Sequence, residues 1–97
     1  MNRRAVPKLS KYGLTYAEYM AMRQACRDLC EICGNPETTV ANGKVKPLAI
    51  DHCHQSGKVR GLICHACNHA LGQMADDPER LRAAAAYLER TAAAIAS

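Results

Sequence analysis

The chain has 97 residues, 48% of them apolar, and a formal net charge of +4. Much of the apolar fraction is alanine, Phe and Trp are absent and there are four tyrosines, so a hydrophobic core alone would leave a domain of this size marginally stable and some other staple is expected. The amino terminus carries no apolar export segment, and the alanine-rich stretch from Arg82 to Ser97 is interrupted by Glu89 and Arg90. These features argue against membrane insertion or export and lead to the expectation of a soluble, cytoplasmic protein.

Residues 1–11 carry Arg3, Arg4, Lys8 and Lys11 around Pro7 without apolar periodicity, and are expected to form a flexible basic arm that orders on a partner. Thr15 followed by Glu18 has the spacing of a capping box, which predicts a helix running to about Leu29 with Tyr16, Tyr19, Met20, Arg23 and Cys26 at helical intervals. Gly34 to Pro47 is dense in turn formers and reads as a connecting loop with a minor hairpin at Asn42 and Gly43. Leu48–His52 and Lys58–Ile63 are short strand candidates on either side of Gln55, Ser56 and Gly57, and should pair as a hairpin.

A helix opening near Cys64 and running to about Met74 completes a strand, strand, helix order. Asp76, Asp77 and Pro78 restart the chain as a last helix, in which Leu81, Ala84, Ala85, Leu88, Ala92 and Ile95 recur at helical spacing. That stripe should pack on the core or pair with a second copy of the chain. The fold class expected is α+β: a small zinc-stapled ββα domain with flanking helices, occupying residues 1–97 as a single unit. Within it, residues 1–11 form the arm, 12–75 the zinc-bound core with its preceding helix, and 76–97 the carboxy-terminal helix.

Six cysteines in a reducing compartment favour metal binding over disulfides. Cys30 and Cys33 form one C-x-x-C pair and Cys64 and Cys67 a second, which supplies the four thiolates of a tetrahedral structural zinc site. A four-thiolate shell leaves no open coordination position, so such a zinc is a clamp and not a catalyst. It would join the end of the first helix to the start of the helix carrying Asn68. Redox dithiols are disfavoured because neither pair lies in a βαβ setting. Cys26 is expected to be a core residue of the helix; it and Cys53 are substitute thiols whose spacings fit the clamp less well.

Asp51, His52 and His54 lie at the end of the first strand of the hairpin, and Asn68 directly follows Cys67. Hydrolysis of a phosphodiester needs a base for water and a hard cation at the phosphate. Asp51 and Asn68 offer hard oxygens suited to Mg²⁺ or Mn²⁺. His52 is the natural base, with His54 placed to contact phosphate or support the metal. Strict alternation along a strand would put Asp51 and His52 on opposite faces, so their convergence requires the strand to bend or end there. Lys44, Lys46, Lys58 and Arg60 flank the motif as candidate phosphate contacts. His65 and His69 carry no assigned role and are expected to be solvent-exposed.

The string IDHCHQSGKVRGLICHACNHALGQM, with YGLTYAEY and CEICG upstream, resembles the phage recombination endonuclease VII family over about residues 12–90. The resemblance implies an HNH (His-Me finger, ββα-metal) endonuclease that hydrolyses DNA with a structural zinc and a separate catalytic Mg²⁺. On its pattern Cys30, Cys33, Cys64 and Cys67 match zinc ligands, Asp51 and Asn68 match ligands of the catalytic ion, His52 matches the base and His54 matches a histidine near the phosphate. Cys53 stands where a well-known member has an acidic residue. A junction-resolving member also continues into a further domain and an intertwined dimer, so nicking or less structure-selective cleavage is the implied activity here, in the cytoplasm of a bacterial host if the chain is phage-encoded. The alternative is a non-catalytic zinc-stapled DNA-binding module, which leaves Asp51, His52 and Asn68 unexplained.

Overall fold

The computed structural model describes residues 6–96; Arg3 and Arg4 of the expected arm lie outside them. It is a small α+β structure with three α-helices and two small sheets. The elements are a 3-10 turn (Leu9–Tyr12), α1 (Tyr16–Cys26), β1 (Val40–Ala41), β2 (Lys44–Val45), β3 (Ala49–His52), β4 (Val59–Ile63), α2 (His65–Gln73) and α3 (Pro78–Ala96). Within the described part of the basic segment, Leu9–Tyr12 form the 3-10 turn. Leu9 and Tyr12 pack against the core, and the N–H of Gly13, at a φ of 68°, turns back to the carbonyls of Leu9 and Ser10.

The capping box forms as expected: Thr15 N–H donates to Glu18 Oε1 at 2.8 Å and Glu18 N–H to Thr15 Oγ1 at 3.1 Å. Helix α1 stops at Cys26, short of the expected Leu29. Arg27 and Asp28 both take left-handed backbone conformations, with φ of 57° and 56°, and the Arg23 guanidinium grips the Asp28 carboxylate at 2.7 and 3.1 Å across the break. The reversal delivers Leu29 and Cys30 to the sheet side. Asn42 and Gly43, with φ of 52° and 76°, close the β1–β2 hairpin with the positive angles that a two-residue turn demands.

Strands β3 and β4 pair antiparallel, Ala49 opposite Ile63, Ile50 opposite Leu62 and Asp51 opposite Gly61. The register then slips. His52 lies opposite Val59, which leaves Arg60 as the extra residue of a bulge. Helix α1 packs on β4 and α2 on β3, and the core between them is Tyr19, Cys30, Leu48, Ile50, Leu62, Ile63 and Cys64. Tyr19 and Leu62 are its two large, fully buried side chains, each contributing about 1.5–3 kcal/mol by leaving water.

The expected stripe on α3 is not used on the core. Among the described residues α3 shares no substantial contact with another helix or strand, and Tyr87, Leu88 and Ile95 are 55%, 65% and 81% exposed. Asp77 accepts from Glu79 N–H at 3.0 Å and starts the helix. No helix among the described residues is long and apolar enough to cross a membrane.

Candidate metal centre and histidine cleft

The two C-x-x-C turns face each other. Cys30 and Cys33 lie on the loop after α1, Cys64 caps α2 and Cys67 is in its first turn. All four Sγ atoms lie within 4.8 Å of one another, and Cys33 Sγ is 3.9 Å from Cys64 Sγ. Tetrahedral sulfurs bonded to zinc at ~2.3 Å stand about 3.8 Å apart, so the set can hold such an ion with little adjustment. Backbone N–H groups already point at the sulfurs, Ile32 and Cys33 at Cys30 Sγ (3.3 and 3.5 Å) and Cys67 at Cys64 Sγ (3.4 Å).

Burial opposes a thiolate at Cys30, but the amide donors of Cys33, Cys64 and Ile32 outweigh it and bring this thiol down to about 6. Burial raises Cys64, and burial together with the neighbouring sulfurs raises Cys67. A divalent cation would supply the charge that offsets burial and lets Cys64 and Cys67 ionise.

Glu31, inside the first C-x-x-C turn, ties the cluster to the sheet. Its N–H donates to Leu62 O at 3.1 Å and its Oε2 accepts Leu62 N–H at 2.6 Å. A Cβ on Gly61 would lie 2.6 Å from that Oε2, so a larger residue there would require the Glu31 carboxylate to shift.

Beside the cluster, Asp51, His52, His54 and Asn68 all line one cleft of about 560 Å³, with Tyr12 and Lys46 at its edges. The bulge supplies the local bend that strand alternation required for Asp51 and His52 to reach a common space. Asp51 is buried and His52 partly so. The His52 ring stacks obliquely between Tyr12 at 5.6 Å and His54 at 5.0 Å, centroid to centroid. Asn68 and His69 are exposed on the face of α2 that borders the cleft.

Arg60 does not stand free as a phosphate contact. Its Nε and Nη2 donate to the two Asp51 oxygens at 2.7 and 2.9 Å, and Nη2 also reaches Asp76 Oδ2 at 3.4 Å. His54 Nε2 approaches the same Asp76 oxygen at 3.7 Å. Lys44 and Lys58 are exposed, on β2 and in the turn before β4, and neither lines this cleft.

His65, expected to be solvent-exposed, is instead half-buried and fastened: both its N–H (2.7 Å) and its Nδ1 (2.8 Å) meet Glu37 Oε1. Glu37 also accepts Thr39 N–H at 2.8 Å. Burial works against its charge, yet the bonds to Thr39 and His65 hold its carboxyl down to about 2. The Gly34–Pro47 loop is therefore more than a connection, because Glu37 pins it to the start of α2. Cys26 is half-buried against the core, its Sγ 3.7 Å from Arg23 O, and Cys53 lies in the hairpin turn with Ser56 N–H on its sulfur at 3.5 Å. Glu31, Glu37 and Asp76 carry no signal in the sequence, since each sits in a polar, turn-rich stretch where an acidic residue is unremarkable.

The family model for recombination endonuclease VII matches residues 6–90, a span holding both C-x-x-C pairs and every cleft residue named above. The chain belongs to the recombination endonuclease VII family. Among curated relatives, this endonuclease VII family chain is 42% identical over 83 residues to the Gene 59 protein of Mycobacterium phage D29, covering 84% of this chain and 47% of that protein. It is 41% identical over 81 residues to the Gene 59 protein of Mycobacterium phage L5, covering 82% and 46% respectively. The chain thus spans about half the length of the curated relatives it matches. No solved structure matches it.

Proposed function

We propose that this chain is a metal-dependent DNA endonuclease of the HNH, ββα-metal type, with β3, β4 and α2 as its catalytic unit and the four cysteines holding a structural zinc. The observation that carries the reading is the convergence of Asp51, His52, His54 and Asn68 on one cleft beside the cysteine cluster, with a bulge in β4 opposite the step from Asp51 to His52. Family membership supplies the prior for nuclease chemistry on DNA.

In this reading the Asp51 carboxylate and the Asn68 amide oxygen are the hard donors that fit a Mg²⁺ or Mn²⁺ ion. Such an ion, when bound, neutralises the scissile phosphate and the departing oxygen. The Arg60 guanidinium sits on both Asp51 oxygens, so an ion at this carboxylate would have to compete with it. His52 takes the proton of the attacking water, and its ring is kept from turning by Tyr12 and His54 on either side. His54 touches the phosphate. Lys46 at the cleft edge, with Lys44 and Lys58 further out, neutralises flanking phosphates. The outcome is a nick or a structure-selective cut.

DNA is the partner, and the α3 face bearing the exposed Leu88 and Ile95 is the surface through which two copies would pair. The phage relatives suggest action inside a bacterial host cell. The bidentate Arg60–Asp51 pair favours a second reading, a zinc-stapled DNA-binding module in which Asp51 is permanently neutralised. Supercoiled-plasmid cleavage with Mg²⁺, Mn²⁺ or EDTA separates the two. Divalent-dependent nicking that His52→Ala abolishes supports the nuclease; DNA retained but uncut under every condition supports the module.

A further inference from the structure

Arg60 is the residue that the β4 bulge leaves unpaired, and the bulge lies directly opposite the step from Asp51 to His52. The Asp51 side chain is 10% exposed and that of Arg60 39%, so the carboxylate is fixed in the fold while the guanidinium has room to move. A second anion is within its reach. Asp76, at the junction of α2 and α3, is 3.4 Å from Nη2 and its side chain is 22% exposed.

A buried carboxylate left without a counter-charge is costly, which accounts for Arg60 lying on Asp51. A divalent cation and a guanidinium cannot both sit within bonding distance of the same two oxygens without strong mutual repulsion. When the cation arrives the guanidinium must leave, and the nearest carboxylate that would receive it is Asp76.

We propose that Arg60 is an exchangeable counter-ion: it neutralises Asp51 while the cleft holds no divalent ion and passes to Asp76 when a Mg²⁺-class ion takes the Asp51 oxygens. This inference rests on the metal-dependent reading of the cleft. Arg60 and Asp76 are on this account positioning residues that set the affinity and timing of metal entry, and neither need touch DNA. A purely structural Arg60 makes the opposite prediction, because removing it would loosen Asp51 and weaken metal binding.

The direct test uses the full chain with its cysteine-bound metal, titrated with Mg²⁺ and followed by NMR at the Asn68 side-chain amide and the Arg60 Nε–H. Both signals should move together, and the Arg60 Nε–H should exchange with water faster once released from Asp51. Asn68 moving while Arg60 stays fixed overturns this inference alone; an immobile Asn68 overturns the metal reading and this inference with it.

Calorimetric Mn²⁺ binding supplies the thermodynamic half. Arg60→Met should tighten Mn²⁺ by about tenfold and Asp76→Asn should weaken it about threefold, but Asp76→Asn should have no effect once Arg60 is already Met. An equal Asp76→Asn effect in both backgrounds means simple charge attraction and overturns the exchange. If Arg60→Met does not fold, Arg60→Lys, which keeps the charge but loses the two-point grip, should still tighten Mn²⁺, and weaker binding there overturns the proposal.

Discussion

The cysteine cluster and the histidine cleft lie on either side of the start of α2, and they are built in different ways. The cluster is local: each C-x-x-C turn aims its own two sulfurs, and backbone amides already point at Cys30 and Cys64. The cleft is non-local. Its residues come from β3, the turn after it and α2, and they meet because β4 inserts Arg60 where β3 steps from Asp51 to His52. The lesson is a division of labour in which a metal held by the four cysteines would supply cohesion that a core with two large fully buried side chains cannot, leaving the cleft free to hold polar and charged groups.

The sharpest way to break that division is at the cluster. Cys30→Ser should release the metal and unfold the chain together, since structural zinc contributes on the order of 10 kcal/mol in small domains, more than such a domain's whole stability. Metal content by mass spectrometry and far-UV circular dichroism check this, with chelation of the wild type as the parallel experiment. A folded, metal-free Cys30→Ser protein would remove the clamp from the account. His52→Ala makes the complementary prediction: metal content and melting temperature unchanged, plasmid cleavage reduced by about 10²–10⁴-fold. Cleavage at the wild-type rate would exclude His52 as the base.

How much of this is legible in the sequence follows the same line between local and non-local. The C-x-x-C pairs, the Thr15–Glu18 capping box, the Asn42–Gly43 turn and the β3–β4–α2 order are short-range patterns, and the structure has them where the residues predict. The early end of α1 depends on Arg23 reaching Asp28 across two left-handed residues, which helical periodicity does not report. Alternation exposed the conflict between Asp51 and His52 but not its solution, because the bulge lies in the opposite strand. The role of Arg60 is set by a carboxylate from β3 and another beyond α2, neither of which its place in the sequence reports. The α3 stripe shows the reverse failure: periodicity marked a face without saying whether anything covers it.

Gly61 sharpens the comparison because it joins the two regions. The Glu31 carboxylate, carried by a cysteine turn, bonds the Leu62 amide of the strand that forms the cleft, and an alanine at Gly61 would push into it. Gly61→Ala should cost about 1–3 kcal/mol, read as a lower denaturation midpoint with metal content intact. Cleavage should fall too, as the β4 register shifts under Asp51. An unchanged midpoint would mean that Glu31 moves aside freely and that the cluster does not hold the strand.

The smallest effect expected is at Glu37, which ties the loop to α2 through His65. Glu37→Gln keeps the shape and removes the charge that His65 and Thr39 hold in place, and should cost about 1–2 kcal/mol near neutral pH. Its pH dependence has a definite sign. The folded carboxyl sits at about 2, below its ordinary 4.5, so its stabilisation is complete above roughly pH 5 and declines as the pH falls from there toward 2. The wild type should therefore exceed the variant by a constant margin above roughly pH 5, and below it the margin should close by up to about 1.4 kcal/mol per pH unit. Acid also protonates the thiolates of the cluster, but it does so in both proteins, so the difference between their denaturation curves isolates Glu37. A margin that stays level or widens in acid would show that the wild-type carboxylate is not what fastens His65 and the loop.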